Sequence, residues 1–150
     1  MVDVSLRAIE PTPIAVARRS VTQSEIPAVM IPALDAVWAF VRGRELETGH
    51  NVAVYDAGDG SDAGFTAWFG VQVAAAFDGD CSIDCAAMPN GVTAVATHIG
   101  LYNRLGETHR AVRAWCQEHG HALSGTSWEI YGDWTDDPTK LETTIGYLLA

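Results

Sequence analysis

A short internal repeat limits what this chain can fold into. IAVARRSV, from Ile14, is echoed by TAVATHIG, from Thr93. AVWAFV, from Ala36, is echoed by AVRAWC, from Ala111, and VAVYDA, from Val52, by WEIYGD, from Trp128. The three pairs come in the same order at a nearly constant offset, so the repeat constrains the fold before any single element does. It sets Tyr55 opposite Tyr131 and Ala53 opposite Glu129. Each half reads as strand, helix, strand, strand, with units over about 1–76 and 77–150. Together they make one domain, 1–150, long enough to bury a sizeable core.

The helices follow from apolar spacing. Leu34, Val37, Trp38 and Val41 mark the first, with Pro27 or Pro32 near its start and Gly43 near its end. Tyr102, Leu105, His109, Val112, Trp115 and Cys116 mark the second, which Gly120 stops. Its other side, with Asn103, Arg104, Glu107, Arg110, Gln117 and Glu118, is a solvated face. Strands are expected over 4–8, 14–21, 51–57, 66–76, 81–86, 92–99, 127–132 and 141–148. AGDGSDAG, from Ala57, and DWTDDPT, from Asp133, read as turns. The expected class is α+β. Two pseudo-twofold-related β-α-β-β units would form one mainly antiparallel sheet, with helices on one face and a groove between them.

The stretch WEIYGDW raises the functional question. Alternation along a strand puts Glu129 and Tyr131 on one face and Trp128 and Ile130 on the other. A solvated Glu129 would be ordinary, whereas a covered one costs free energy unless it is paired. If Tyr131 faces the helices, the carboxylate lies on the floor of the groove, with Tyr55 nearby.

Charge narrows the partners. Nineteen acidic against nine basic residues give a net charge of −10 and a pI near 4.7. Nucleic acid and anionic membranes, which demand basic surfaces, are disfavoured, and a cationic ligand is favoured. Charge that only keeps the protein soluble is the plainer reading. No run reads as long enough to cross a membrane. The start, MVDVSLRAIEPTP, lacks a basic segment followed by an apolar one. Cys81, Cys85 and Cys116 read as free thiols, and the expected location is the cytoplasm.

One ordered set of features carries a resemblance. MPNGVTAVATHIGLY holds Pro89, Gly91, Ala94, His98, Gly100 and Tyr102 in a strand and small-residue turn. The helix RLGETHRAVRAWCQEHG follows, then WEIYGD, Pro138 and the closing strand LETTIGYLL. In the first half, EIPAVMIPALDAVWAFV is the counterpart helix. This arrangement resembles the GyrI-like small-molecule-binding domain, also found as the effector-binding half of AraC-type and MerR-type regulators. The resemblance implies two β-α-β-β units, a pocket between helices and sheet, and a buried acid meeting cationic, lipophilic ligands among aromatic rings. Glu129 stands at the acid's position and Tyr131 at the accompanying aromatic's. The turn after Tyr131 is longer than in the family pattern, with Trp134 inserted before Pro138. The chain starts in its first strand, so no helix-turn-helix and no direct transcription-factor role are expected. Some stand-alone members are hydrolases that open cyclopropane rings of alkylating natural products, and that activity is kept as an alternative.

The remaining candidates each have a plainer explanation. Tyr55 is a pocket wall or a core aromatic. Trp38, at core spacing, packs but can show an edge to the groove. Trp68 shares a face with Thr66, Gly70 and Gln72, which fits a pocket wall or an interface. Tyr102 begins the second helix on its groove side, and Trp134 is a lid or simply exposed. Asp35 is a second pocket acid or a solvated helix residue, and His98 is structural. Cys116, His119 and His121 straddle a helix end, where histidines meet the C-terminal dipole, and are not read as a metal site. The reading is a stand-alone small-molecule-binding protein for amphipathic or cationic aromatic compounds. The ligand set is Glu129, Tyr131, Tyr55, Trp38, Trp68, Tyr102 and Trp134, with no cofactor or metal. In the hydrolase alternative, Glu129 activates water and Tyr131 holds the substrate. A third reading is an inhibitor of another protein that acts through the acidic surface near AGDGSDAG.

Overall fold

The computed structural model describes residues 2–56 and 64–150. The turn expected from Ala57 lies, apart from Gly64, outside the described residues, as does most of the acidic patch of the third reading. The elements are β1 (Ser5–Ile9), β2 (Pro13–Val21), α1 (Ile26–Gly43), β3 (Thr48–Asp56), β4 (Phe65–Val73), β5 (Asp84–Ala87), β6 (Gly91–Ile99), α2 (Leu105–Glu118), β7 (Leu123–Tyr131) and β8 (Glu142–Leu149). The strands form one antiparallel sheet in the order β1-β6-β8-β7-β3-β4-β2-β5. The fold is α+β, as the repeat implies.

Strand registers reproduce the repeat. Val52 pairs with Gly70, and Trp128 with Gly146, so β3 and β4 each advance by 76 residues to reach β7 and β8. The helices advance by 75. Ala33, Val37 and Val41 are the buried residues of α1, and Thr108, Val112 and Cys116 those of α2. Because β3 and β7 pair antiparallel with Ala53 across from Glu129, the pseudo-twofold axis passes between those two residues.

A single row of paired residues crosses the sheet there: Ala17, Phe69, Ala53, Glu129, Ile145 and Ala96. All six are buried, and Glu129 alone is polar. Residues paired in this way share a face. The row meets both helices: Ala17, Ala53 and Phe69 pack in the cluster that includes Ala33, Val37 and Val41, while Ala96 and Ile145 pack with Val112 and Cys116. Small alanines on the sheet let each helix approach closely. The opposite face is also buried: its Ile14, Val16, Val52, Val54, Val95 and Trp128 cluster with Met88, from the segment between β5 and β6. There the indole of Trp128 lies over Gly146, where a Cβ would overlap the ring.

Several boundaries differ from the sequence expectation for identifiable reasons. β3 and β7 begin three or four residues early, at Thr48 and Leu123, because each is bulged against its neighbour. A bulge breaks the alternation by which a strand is recognised. The expected strand at Cys81 starts instead at Asp84, because Asp80 Oδ1 accepts hydrogen bonds from the Ser82 and Ile83 amides and folds a turn there. α1 starts behind a capping box, in which the Thr22 amide donates to Glu25 Oε1 at 2.8 Å. Pro27 sits in its first turn and Pro32 lies inside on the exposed side. α1 ends at Gly43, as its spacing implies. The left-handed residue is Glu45, at φ 53°, whose counterpart after α2 is Gly120, at φ 73°.

The span Gln23–Gly43, 21 residues, is by length and composition long and apolar enough to cross a membrane, which corrects the sequence reading. In this fold α1 lies on the sheet instead, with Ala33, Val37 and Val41 buried.

Candidate functional site

β7 places Glu129 on the helix-covered face, and pairing with β3 brings Tyr55 alongside. Glu129 is 5 % exposed. Oε1 accepts hydrogen bonds from Tyr131 Oη at 2.7 Å and Tyr55 Oη at 2.9 Å. Oε2 lies 2.8 Å from His109 Nε2, on α2. Burial on its own would raise the Glu129 pKa. The His109 hydrogen bond and charge, with the two tyrosine hydroxyls, outweigh it, and the net direction is downward. Burial, followed by the charge of Glu129, pushes Tyr55 and Tyr131 well above the ordinary phenol value. The site therefore holds an ionised acid with two phenols that keep their protons as donors.

Further groups extend the network. His109 Nδ1 lies 2.6 Å from Tyr147 Oη, on β8, and Arg113 Nη1 donates to that oxygen at 2.8 Å. Burial raises the Tyr147 pKa, although Arg113 opposes it. Above the acid, the Tyr131 hydroxyl approaches Met30 Sδ at 4.0 Å, and Tyr102 meets the Tyr131 ring edge-on at 5.8 Å. Tyr102, just before α2, is 41 % exposed, so Tyr131 is flanked by a half-exposed ring and by a thioether from α1.

The structure gathers part of the expected set. Glu129, Tyr131 and Tyr55 are hydrogen-bonded together, and Tyr102 joins through Tyr131. Trp38 packs in the same cluster as Tyr55 and Tyr131, but its indole N–H is engaged by Asn51 Oδ1 at 2.9 Å and its ring lies against Arg42. Trp68 is on the other face of the sheet, because it pairs with Val54 and not with the Glu129 row. It lines a separate depression of about 330 Å³ with Ile14, Val54, Asp56, Thr126 and Leu148. The expectation that it walls the Glu129 pocket is corrected accordingly. Trp134 is 74 % exposed and makes no contact with the acid among the interactions of the described residues. Asp35 is exposed. His98 is structural, tied to Thr108 Oγ1 at 2.7 Å and the Leu101 carbonyl at 2.9 Å. His119 and His121 stack on Trp115, while Cys116 is buried beneath α2.

His109, Tyr147 and Arg113 were missed as site residues. His109 did carry a signal, since it is a titratable side chain on the apolar stripe of α2. Nothing in the sequence pairs it with Glu129, twenty residues away.

Comparison with known proteins identifies the family and the fold. The model of the GyrI-like small-molecule-binding domain matches residues 3–147. The chain belongs to that family. A search among curated proteins gives no significant match. Among solved structures, the EcmrR C-terminal domain superposes with a TM-score of 0.83 at 16 % identity, covering 100 % of this chain and 98 % of that one. In the EcmrR–DNA complex, this GyrI-like chain spans only 57 % of the EcmrR chain. SAV2435, solved bound to tetraphenylphosphonium, gives a TM-score of 0.69 at 10 % identity, over 99 % of this chain and 94 % of that one. A hydrolase encoded by lin2189 of Listeria innocua gives 0.60 at 10 % identity, over 98 % and 91 %. At these identities the likeness is one of fold. Membership of the family makes this GyrI-like domain a small-molecule-binding one.

Proposed function

We propose that this GyrI-like domain binds a lipophilic aromatic cation against Glu129, in the space between α1 and α2. The observation that carries the reading is a buried carboxylate beside the pseudo-twofold axis, hydrogen-bonded by two tyrosines and an imidazole. Each ring facing a cation adds roughly 0.5–2 kcal/mol. The carboxylate adds more in this dry setting than it would in water. Entry requires Met30 and Tyr102 to part, and an unbranched thioether and a half-exposed ring are suited to that. The net charge of −10 would draw cations in and keep duplex DNA away. The tetraphenylphosphonium held by SAV2435 supports the choice of ligand class.

Titration with tetraphenylphosphonium, followed by tryptophan quenching and calorimetry, tests this. Saturable binding is expected, with the ligand recovered unchanged. Glu129→Gln should weaken it by about 1.5–3 kcal/mol. It should leave a neutral ligand of similar shape, such as triphenylphosphine oxide, nearly unaffected. Equal loss of both would make Glu129 a structural residue.

The Glu129–His109 contact favours a second reading. A carboxylate paired with an imidazole could take a proton from water, and the hydrolase among the structural neighbours keeps the alternative open. In that case Glu129→Gln would spare binding and abolish turnover of a strained-ring electrophile.

A further inference from the structure

The acid in this site is not waiting empty. Among the described residues, His109 Nε2 is the basic nitrogen in contact with the Glu129 carboxylate, and its side chain is only 15 % exposed. His109 contacts Tyr147 of β8 and Glu129 of β7; Arg113 of α2 donates to that Tyr147, and Tyr131 of β7 and Tyr55 of β3 donate to that Glu129. Arg113 reaches the acid only through Tyr147 and His109.

The hydrogen-bond directions constrain the imidazole. Ionised Glu129 only accepts, so Nε2 carries a proton. Tyr147 Oη already accepts from Arg113. A neutral His109 then accepts a hydrogen bond from the Tyr147 hydroxyl at Nδ1, and every donor along the line points toward Glu129. A charged His109 donates from Nδ1 to Tyr147 Oη, which has a second lone pair to offer, and the phenol proton turns away. Both protonation states can be hydrogen-bonded without moving a side chain. The hydrogen-bond network therefore fits the neutral and the charged imidazole alike.

We propose that His109 is the resident counter-charge of Glu129, that a lipophilic cation must displace that charge, and that cation binding is therefore linked to release of one proton from the imidazole. This rests on the functional reading above and specifies what governs it. A cation and an imidazolium compete for one carboxylate. His109 thereby sets the selectivity of the site: cations are admitted where the imidazole is neutral and disfavoured where it is charged, while neutral ligands are indifferent.

The experiment measures tetraphenylphosphonium affinity from pH 5 to pH 8, the range in which imidazoles titrate. Proton release is counted at pH 6 by calorimetry in two buffers of different ionisation enthalpy. Wild-type affinity should rise with pH by up to tenfold per unit, with up to one proton released, while triphenylphosphine oxide shows no slope. His109→Gln should bind the cation with a flat profile and more tightly than wild type at pH 5. His109→Lys, which fixes the positive charge, should be flat and weak, including at pH 8. Should either variant fail to fold, the other and the wild-type proton count still decide the matter. A flat wild-type profile would overturn the proposal while leaving the functional reading intact. A slope that persists in His109→Gln would assign the proton to Glu129 and also overturn it. Absence of cation binding at every pH would remove the functional reading and this proposal with it.

Discussion

The two halves share a backbone plan and differ at the few positions where the chemistry sits. Tyr55 and Tyr131 are counterparts in the repeat, and both donate to the same oxygen of Glu129. The acid itself has no counterpart, since Ala53 occupies its place in the first half. With the helices offset by 75, His109 corresponds to Leu34 and Arg113 to Trp38. With the strands offset by 76, Tyr147 corresponds to Val71. The second half thus carries an acid, an imidazole, a phenol and a guanidinium where the first carries alanine, leucine, valine and tryptophan. A symmetric pair of donors holds an asymmetric charge. On the first-half side of the acid the counterpart residues carry no charge, and on the second-half side a hydrogen-bonded line runs out to Arg113.

Restoring symmetry with charge should break the molecule most severely. Ala53→Glu would set a second carboxylate directly across from Glu129, buried and without its own imidazole. A loss of about 3–5 kcal/mol in urea unfolding is expected, the usual scale for an uncompensated buried charge. A loss under 1 kcal/mol would mean that the axis is far wetter than the structure indicates.

Glu129→Gln restores symmetry in charge alone. The folded-state pKa of Glu129 is lowered, so its ionised form contributes stability above the unfolded value of about 4.5. That contribution is lost as pH falls through the folded value. The stability of wild type relative to the variant should therefore decline between pH 7 and pH 3 in urea melts. A constant difference would show that the acid titrates as it does in the unfolded chain.

The tyrosine pair sharpens the comparison. Tyr55→Phe and Tyr131→Phe each remove one donor to the same oxygen, and each should cost about 1–2 kcal/mol. Tyr131→Phe should be the more harmful by a small margin, because that hydroxyl also touches Met30. A cost confined to one of them would show that the symmetric geometry is not matched by symmetric energetics.

The smallest effect is at the helix ends. Glu45 adopts the left-handed conformation that its counterpart, Gly120, takes more freely. Glu45→Gly should stabilise the protein by up to about 1 kcal/mol, read as a rise in the urea midpoint.

The repeat made the scaffold legible. Matched segments fixed the helices and strands, and alternation in WEIYGD put Glu129 and Tyr131 on one face. Alternation also put Trp68 on the face of Thr66, Gly70 and Gln72, which is where it lies. It could not say that this face is covered too, because its cover includes Met88, from the β5–β6 connection. His109 was hidden differently. Helical spacing assigns it to the core stripe, and that is its true position. Only the sheet order, which no local pattern encodes, brings it against Glu129. Tyr147 was concealed in the same way, inside a strand that reads as an ordinary closing one.

The order of the edge strands bears on how the protein comes together. β1 precedes β2 in the chain but pairs with β6, while β5 precedes β6 but pairs with β2. Each half is therefore fastened by a strand that belongs, in sequence, to the other. During synthesis Ser5 has no partner until Val95 has been made. Such long-range closure slows folding, because the entropy of a large loop is lost before the pairing compensates. The same two straps should make unfolding a single event: a probe on β1 and one on β5 should report the same transition, and neither half should come loose alone.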